Sequence, residues 1–88
     1  MDLDRAWSLH PQVSVRPEPF GALLYHFGTR KLSFLKDRVL LDIVNGLAEA
    51  PTARAACAAV GLGVDEVDRY GAALATLERS EMLVERAA

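Results

Sequence analysis

At 88 residues the chain has room for one small domain, which at this size buries about 70% or less of its unfolded surface. An apolar fraction of 51% argues against disorder, and 25% charged residues is ordinary for a globular protein. The net charge of −2 gives no long-range pull on nucleic acid, the single cysteine, Cys57, excludes an intrachain disulfide, and no apolar run is long enough to span a bilayer.

The opening MDLDRAWSLH is charged and lacks the apolar stretch of a signal peptide, so a soluble cytoplasmic protein is expected. Residues 1–12 read as a lead-in with one loose helical turn, whose Trp7 and Leu9 either fold back on the core or rest on a partner. Val13 and Val15 alternate with Gln12, Ser14 and Arg16, which predicts a strand over about 12–16. Pro17 and Pro19 cannot donate to a ladder, so pairing should break there or lie on an edge.

GALLYHFGTRKLSFL predicts a hairpin with strands over about 21–27 and 30–35. Gly28-Thr29 suits a two-residue type II′ turn with positive φ at Gly28. That register sets Tyr25 opposite Leu32 and Leu23 opposite Phe34. Leu23, Tyr25, Phe27, Leu32 and Phe34 then share the face expected to be core; Ala22, Leu24, His26, Lys31 and Ser33 share a mixed, partly wet face.

The period then changes. Val39, Leu40, Ile43, Val44 and Leu47 predict an amphipathic helix over about 36–49, with Asp37 complementing its dipole and Pro51 stopping it. Thr52 caps a second helix over about 52–60, with small residues Ala53, Ala56 and Cys57 on one face and Gly61 at its end. Asp65 is expected to cap a third helix over about 65–80, with Val67, Tyr70, Ala73, Leu74 and Leu77 as its stripe. Gly71 within it leaves room for a close approach. Met82, Leu83 and Val84 form an apolar tail. The fold class is α+β: a three-stranded antiparallel sheet followed by three helices.

Catalytic chemistry finds few supports. No CxxC, HxxxH or HExxH occurs to hold a metal, and no signature joins Ser14, Ser33, Cys57 and His26 into a nucleophilic site. Helices two and three resemble a helix-turn-helix, and Arg30 and Lys31 at the hairpin tip resemble a wing, so a DNA-binding regulator is the competing class. Against it, the recognition-helix position carries Asp65, Glu66, Asp68 and Glu78 against Arg69 and Arg79. The remaining feature is the sheet edge. Arg30 to Leu35 alternates, has no proline, and can accept an extended peptide as a further strand, unless Arg30 and Lys31 serve only to keep that edge soluble.

RPEPFGALLYHFGTRKLSFL, together with the small-residue helix and YGAALATLERSEML, resembles the MftB family of mycofactocin-system peptide chaperones and, more distantly, the PqqD family of precursor-peptide recognition domains. The resemblance runs over nearly the whole chain and implies a single winged-helix-like recognition domain over 1–88. It implies no enzyme and no cofactor or metal, but binding of the leader of the mycofactocin precursor peptide by β-strand addition and delivery to a radical SAM, iron–sulfur maturase. Neither nucleic acid nor membrane is an implied partner, and such domains occur as monomers or dimers. By the same resemblance the leader pairs with Arg30, Lys31, Leu32, Ser33 and Phe34 and lies against Arg69, Tyr70, Ala72, Ala73, Thr76 and Leu77. Tyr70 and Leu77 have an alternative reading as core.

Overall fold

The computed structural model describes residues 1–86. Three strands, β2 (Val13–Glu18), β3 (Gly21–His26) and β4 (Leu32–Leu35), form an antiparallel sheet in the order β2-β3-β4. Three helices follow: α1 (Arg38–Gly46), continued by a short 3-10 turn over Leu47–Glu49, α2 (Ala53–Ala59) and α3 (Val64–Arg79). The α+β class is as expected. The sequence reading did not foresee a second sheet, in which β1 (Trp7–Leu9) pairs antiparallel with β5 (Leu83–Glu85). The lead-in and the apolar tail are therefore partner strands, and Trp7, 8% exposed, folds back on the core. Its indole N–H donates to the Asp2 carbonyl at 2.8 Å, which leaves no buried polar group unpaired there.

The hairpin register is the expected one, Tyr25 opposite Leu32 and Leu23 opposite Phe34. Its turn and its faces are not. The left-handed residue is Arg30, with φ of 62°, rather than Gly28. The His26 ring explains the longer loop: its Nδ1 accepts from the backbone N–H of Gly28 and of Thr29, both at 3.0 Å, and so organises a loop that a two-residue turn would exclude. The Arg30 N–H then donates to the His26 carbonyl at 2.7 Å.

The face assignment is reversed. Ala22, Leu24, His26 and Leu35 are buried, while Phe27, Leu32 and Phe34 are exposed and Leu23 and Tyr25 only half-buried. The aromatic face looks away from the helices. Pairing explains this. Val13 and Val15 lie opposite His26 and Leu24, whereas Ser14 and Arg16 lie opposite Tyr25 and Leu23. Paired residues share a face, so the valines mark the inner side and the polar residues the outer. Pro17 sits on β2, an edge strand, where its missing donor costs no ladder bond.

The inner face packs on α1, whose Leu40, Leu41, Ile43 and Val44 are buried. Asp37 is its N-cap, accepting from the Val39 N–H at 2.7 Å. Thr52 caps α2 as expected, accepting from the Ala55 N–H at 3.0 Å. The cap of α3 is Gly63, not Asp65: the Glu66 carboxylate accepts the Gly63 N–H at 3.2 Å, and Asp65 lies within the first turn. Gly71 of α3 faces Leu3, whose Cδ1 would lie 3.0 Å from an added Cβ. Gly21 has φ of 147°, and a Cβ there would stand 2.0 Å from the Leu35 carbonyl oxygen, so β3 and β4 are seated together by the absence of a side chain.

Candidate functional site

The sheet has two edges, and they differ. The β2 edge carries Pro17. The β4 edge has no proline over Leu32–Leu35. The His26 N–H donates to the Lys31 carbonyl at 3.0 Å, which makes 26 and 31 a hydrogen-bonded pair. Antiparallel alternation then turns Ser33 and Leu35 into the ladder and the backbone groups of Leu32 and Phe34 outward. Among the described residues, the backbone of Leu32 and Phe34 makes no hydrogen bond outside the sheet. An edge so presented is a template for one more strand.

The sequence-derived site residues divide into groups. Leu32 and Phe34 stand exposed on the outer face, at 53% and 60%, and Ser33 is half-buried on the inner face. Arg30 and Lys31 lie exposed in the loop that enters β4. On α3, Ala72 and Thr76 are exposed and Ala73 half-buried. The Thr76 hydroxyl donates to the Ala72 carbonyl at 3.2 Å and accepts from Arg79 at 3.1 Å. Tyr70 and Leu77 are buried core residues that offer little surface to a peptide.

Tyr70 nevertheless matters to the site. Its hydroxyl donates to the Asp37 carboxylate, two residues beyond β4, and the Arg69 guanidinium lies 5.0 Å from the Tyr70 ring centroid. Arg69 is thereby tied to the C-terminal end of the open edge. The Tyr70 hydrogen bond, helped by the Val39 N–H, holds the Asp37 carboxyl below the usual carboxylate range. The same bond pushes the Tyr70 phenol above its usual value.

Charge gathers here as well. Of the chain's 10 basic side chains, Arg30 and Lys31 precede β4, Lys36 and Arg38 follow it, and Arg69 approaches from α3. None of these forms an ion pair among the described residues. The protein's net charge is −2, yet its open edge is bracketed by cations. Lys36, Arg38 and Phe20, 47% exposed beside Phe34, escaped the sequence reading; parity with Leu32 and Phe34 and proximity to the strand ends were the available signals.

Cys57 is fully buried on α2, and burial pushes its thiol up, away from nucleophile range. His10 and His26 stack at 4.3 Å beside a cavity of about 530 Å³ that Glu78 and Glu81 also line. Both rings accept backbone N–H groups at Nδ1, His10 from Gln12 and His26 from Gly28 and Thr29. Among the described residues, no group of three or more His, Cys, Asp or Glu converges as a metal site, and no helix is long and apolar enough to cross a membrane.

Comparison with known proteins places relatives over most of the chain. The model of the peptide chaperone MftB family matches residues 6–84. The peptide chaperone MftB of Mycobacterium tuberculosis (strain ATCC 25618 / H37Rv) is 62% identical over 87 residues, covering 97% of this chain and 78% of that protein. Its namesake from Mycobacterium ulcerans (strain Agy99) is 60% identical, covering 94% and 76%. That of Mycolicibacterium smegmatis (strain ATCC 700084 / mc(2)155) is 59% identical, covering 94% and 81%. No solved structure matches the chain.

Proposed function

The chain belongs to the peptide chaperone MftB family, and from that premise we propose that it is a non-catalytic peptide-binding chaperone of mycofactocin biosynthesis. It takes the leader of the precursor peptide as an added strand on β4 and delivers it to a radical SAM maturase, whose iron–sulfur clusters belong to that partner. The observation that carries the reading is the β4 edge: its outward backbone groups at Leu32 and Phe34 are unengaged, proline-free and bracketed by Arg30, Lys31, Lys36, Arg38 and Arg69. Main-chain bonds give affinity, and the cations favour a leader rich in acidic residues. Holding the leader on a chaperone that also meets the maturase raises the local concentration of substrate at that enzyme.

Calorimetric titration with the full-length precursor and with a leader-truncated form tests this. Binding that disappears on truncation is the expected result; a folded protein that gives no heat with either form at several temperatures overturns leader recognition by this chain alone. A DNA-binding regulator is the competing reading, favoured by the α2–α3 helix pair and by Arg30 and Lys31 at the hairpin tip. The exposed Asp65, Glu66 and Asp68 on α3 would meet phosphates with like charge, and filter binding at low salt separates the two.

A further inference from the structure

Across the outer face of the sheet, apolar character rises toward the open edge. The outer positions of β2 are Ser14, Arg16 and Glu18, with Arg16 and Glu18 paired at 2.8 Å. Those of β3 are Leu23 and Tyr25, half-buried. Those of β4 are Leu32 and Phe34, 53% and 60% exposed. A face that only meets water would have the opposite order, because a polar or charged edge strand is what discourages unwanted pairing. Here the polar strand is β2 and the apolar row is cut off in mid-course at β4.

A strand laid on β4 would continue that row. Every second side chain of the newcomer falls on the outer face, with its Cβ about 4.5–5.5 Å from that of Leu32 or Phe34. We infer that the peptide strand added at β4 carries large apolar side chains two residues apart, and that these are read on the outer aromatic face, away from α3. Phe34 is the specificity-determining residue and Phe20, its ring centroid 6.3 Å away, forms the wall beside it. This rests on strand addition at β4 as proposed above, and adds which peptide side chains are selected and on which face.

Two observations choose this occupant. A globular surface resting on the face would cover Leu32 and Phe34 but leave their outward N–H and C=O groups unpaired, whereas an added strand satisfies the edge and extends the row together. A second copy paired through β4 about a two-fold axis would bring Arg30 and Lys31 of one chain toward Lys36 and Arg38 of the other, at a cost in like-charge repulsion. An apolar peptide with acidic flanks meets neither objection.

The test uses the leader of the mycofactocin precursor and two synthetic forms of it, each with serine at every apolar position of one parity. Calorimetry gives affinity, and protection of the Leu32 and Phe34 amides by NMR reports strand addition at saturation. Phe34→Ser, an exposed site, is the protein variant; Phe20→Ser is the second, and circular dichroism checks both folds. The inference expects a tenfold or greater loss of affinity for Phe34→Ser and for one peptide parity, with amide protection retained. Affinity within twofold of wild type for Phe34→Ser, while Leu32→Pro abolishes binding, overturns the inference and leaves strand addition standing. Unchanged peptide affinity with lost maturase capture also overturns it and makes the row the maturase's dock. Leu32→Pro binding as well as wild type sinks strand addition and the inference with it.

Discussion

The Tyr70 hydroxyl donates to the Asp37 carboxylate, thirty-three residues away, and the same carboxylate group caps α1 through the Val39 N–H. One side chain thus fixes where the helix after β4 begins and where α3 sits beside it. Asp37→Ala removes the cap and the tether together. The expected cost from the cap alone is about 1 kcal/mol, read as a lower urea midpoint with unchanged slope.

The same pair sets a pH dependence. The folded state holds the Asp37 carboxyl below its ordinary value of 3.8, chiefly through Tyr70, so Asp37 contributes stability that is present above that value and lost as pH falls through the lower folded one. Tyr70→Phe keeps the ring and its Arg69 contact but loses the hydrogen bond. Urea unfolding between pH 5 and pH 2 should show wild type losing its advantage over Tyr70→Phe as the medium is acidified. A gap that stays constant across that range would refute the linkage.

Proline substitution separates the edge from the ladder. Leu32 turns its N–H outward, so Leu32→Pro should leave the protein folded and reduce peptide affinity tenfold or more. Ser33 turns its N–H toward β3, and Ser33→Pro should lose a ladder bond and destabilise the sheet. Circular dichroism and calorimetry on the two variants check the contrast.

The exposed cations at β4 should act modestly and through salt-sensitive forces. Lys31→Glu and Arg69→Glu should each weaken peptide binding by roughly two- to fivefold at low ionic strength, the scale of exposed ion pairs. The difference from wild type should shrink toward zero as salt approaches about 1 M, where the Debye length is near 3 Å. A salt-independent loss would mean that these side chains pack rather than pair.

Gly21 admits no side chain. Gly21→Ala would set its Cβ against the Leu35 carbonyl in a backbone region that L residues avoid, and should destabilise by roughly 2 kcal/mol or more. Hydrogen exchange should show the loss concentrated on β4, the strand that Gly21 lets approach.

Much of this architecture was legible in the chain. The helical stripe of Leu40, Ile43 and Val44, the Thr52 cap and the pairing of Tyr25 with Leu32 follow from periodicity and local chemistry. The facing of the sheet did not follow from the hairpin, because aromatic content alone favours burying Tyr25, Phe27 and Phe34. The signal lay one strand earlier, in Val13 and Val15 against Ser14 and Arg16, and becomes decisive once β2 is registered on β3. The loop was missed because the His26 ring, acting on Gly28 and Thr29, outweighs the preference of Gly-Thr for a tight turn. The β1–β5 pairing is separated by most of the chain and has no local signature. At the candidate site, the alternation of Arg30 to Leu35 was readable from the sequence and Arg69 entered only through the family resemblance, whereas the burial of Tyr70 and Leu77 depends on how α3 rotates against the core.

The β1–β5 pairing also governs when the protein can take shape. Trp7 waits for Glu85, and the Arg86 side chain reaches back to the carbonyls of Trp7 and Ala50. Closing so long a loop is entropically expensive and slow. During synthesis the β2–β4 hairpins can form on the ribosome with the outer aromatic row already displayed, while the small sheet must wait until residue 86 clears the exit tunnel. The sheet that presents the β4 edge is thus complete within residues 13–35 and does not depend on the closure that joins the two ends of the chain.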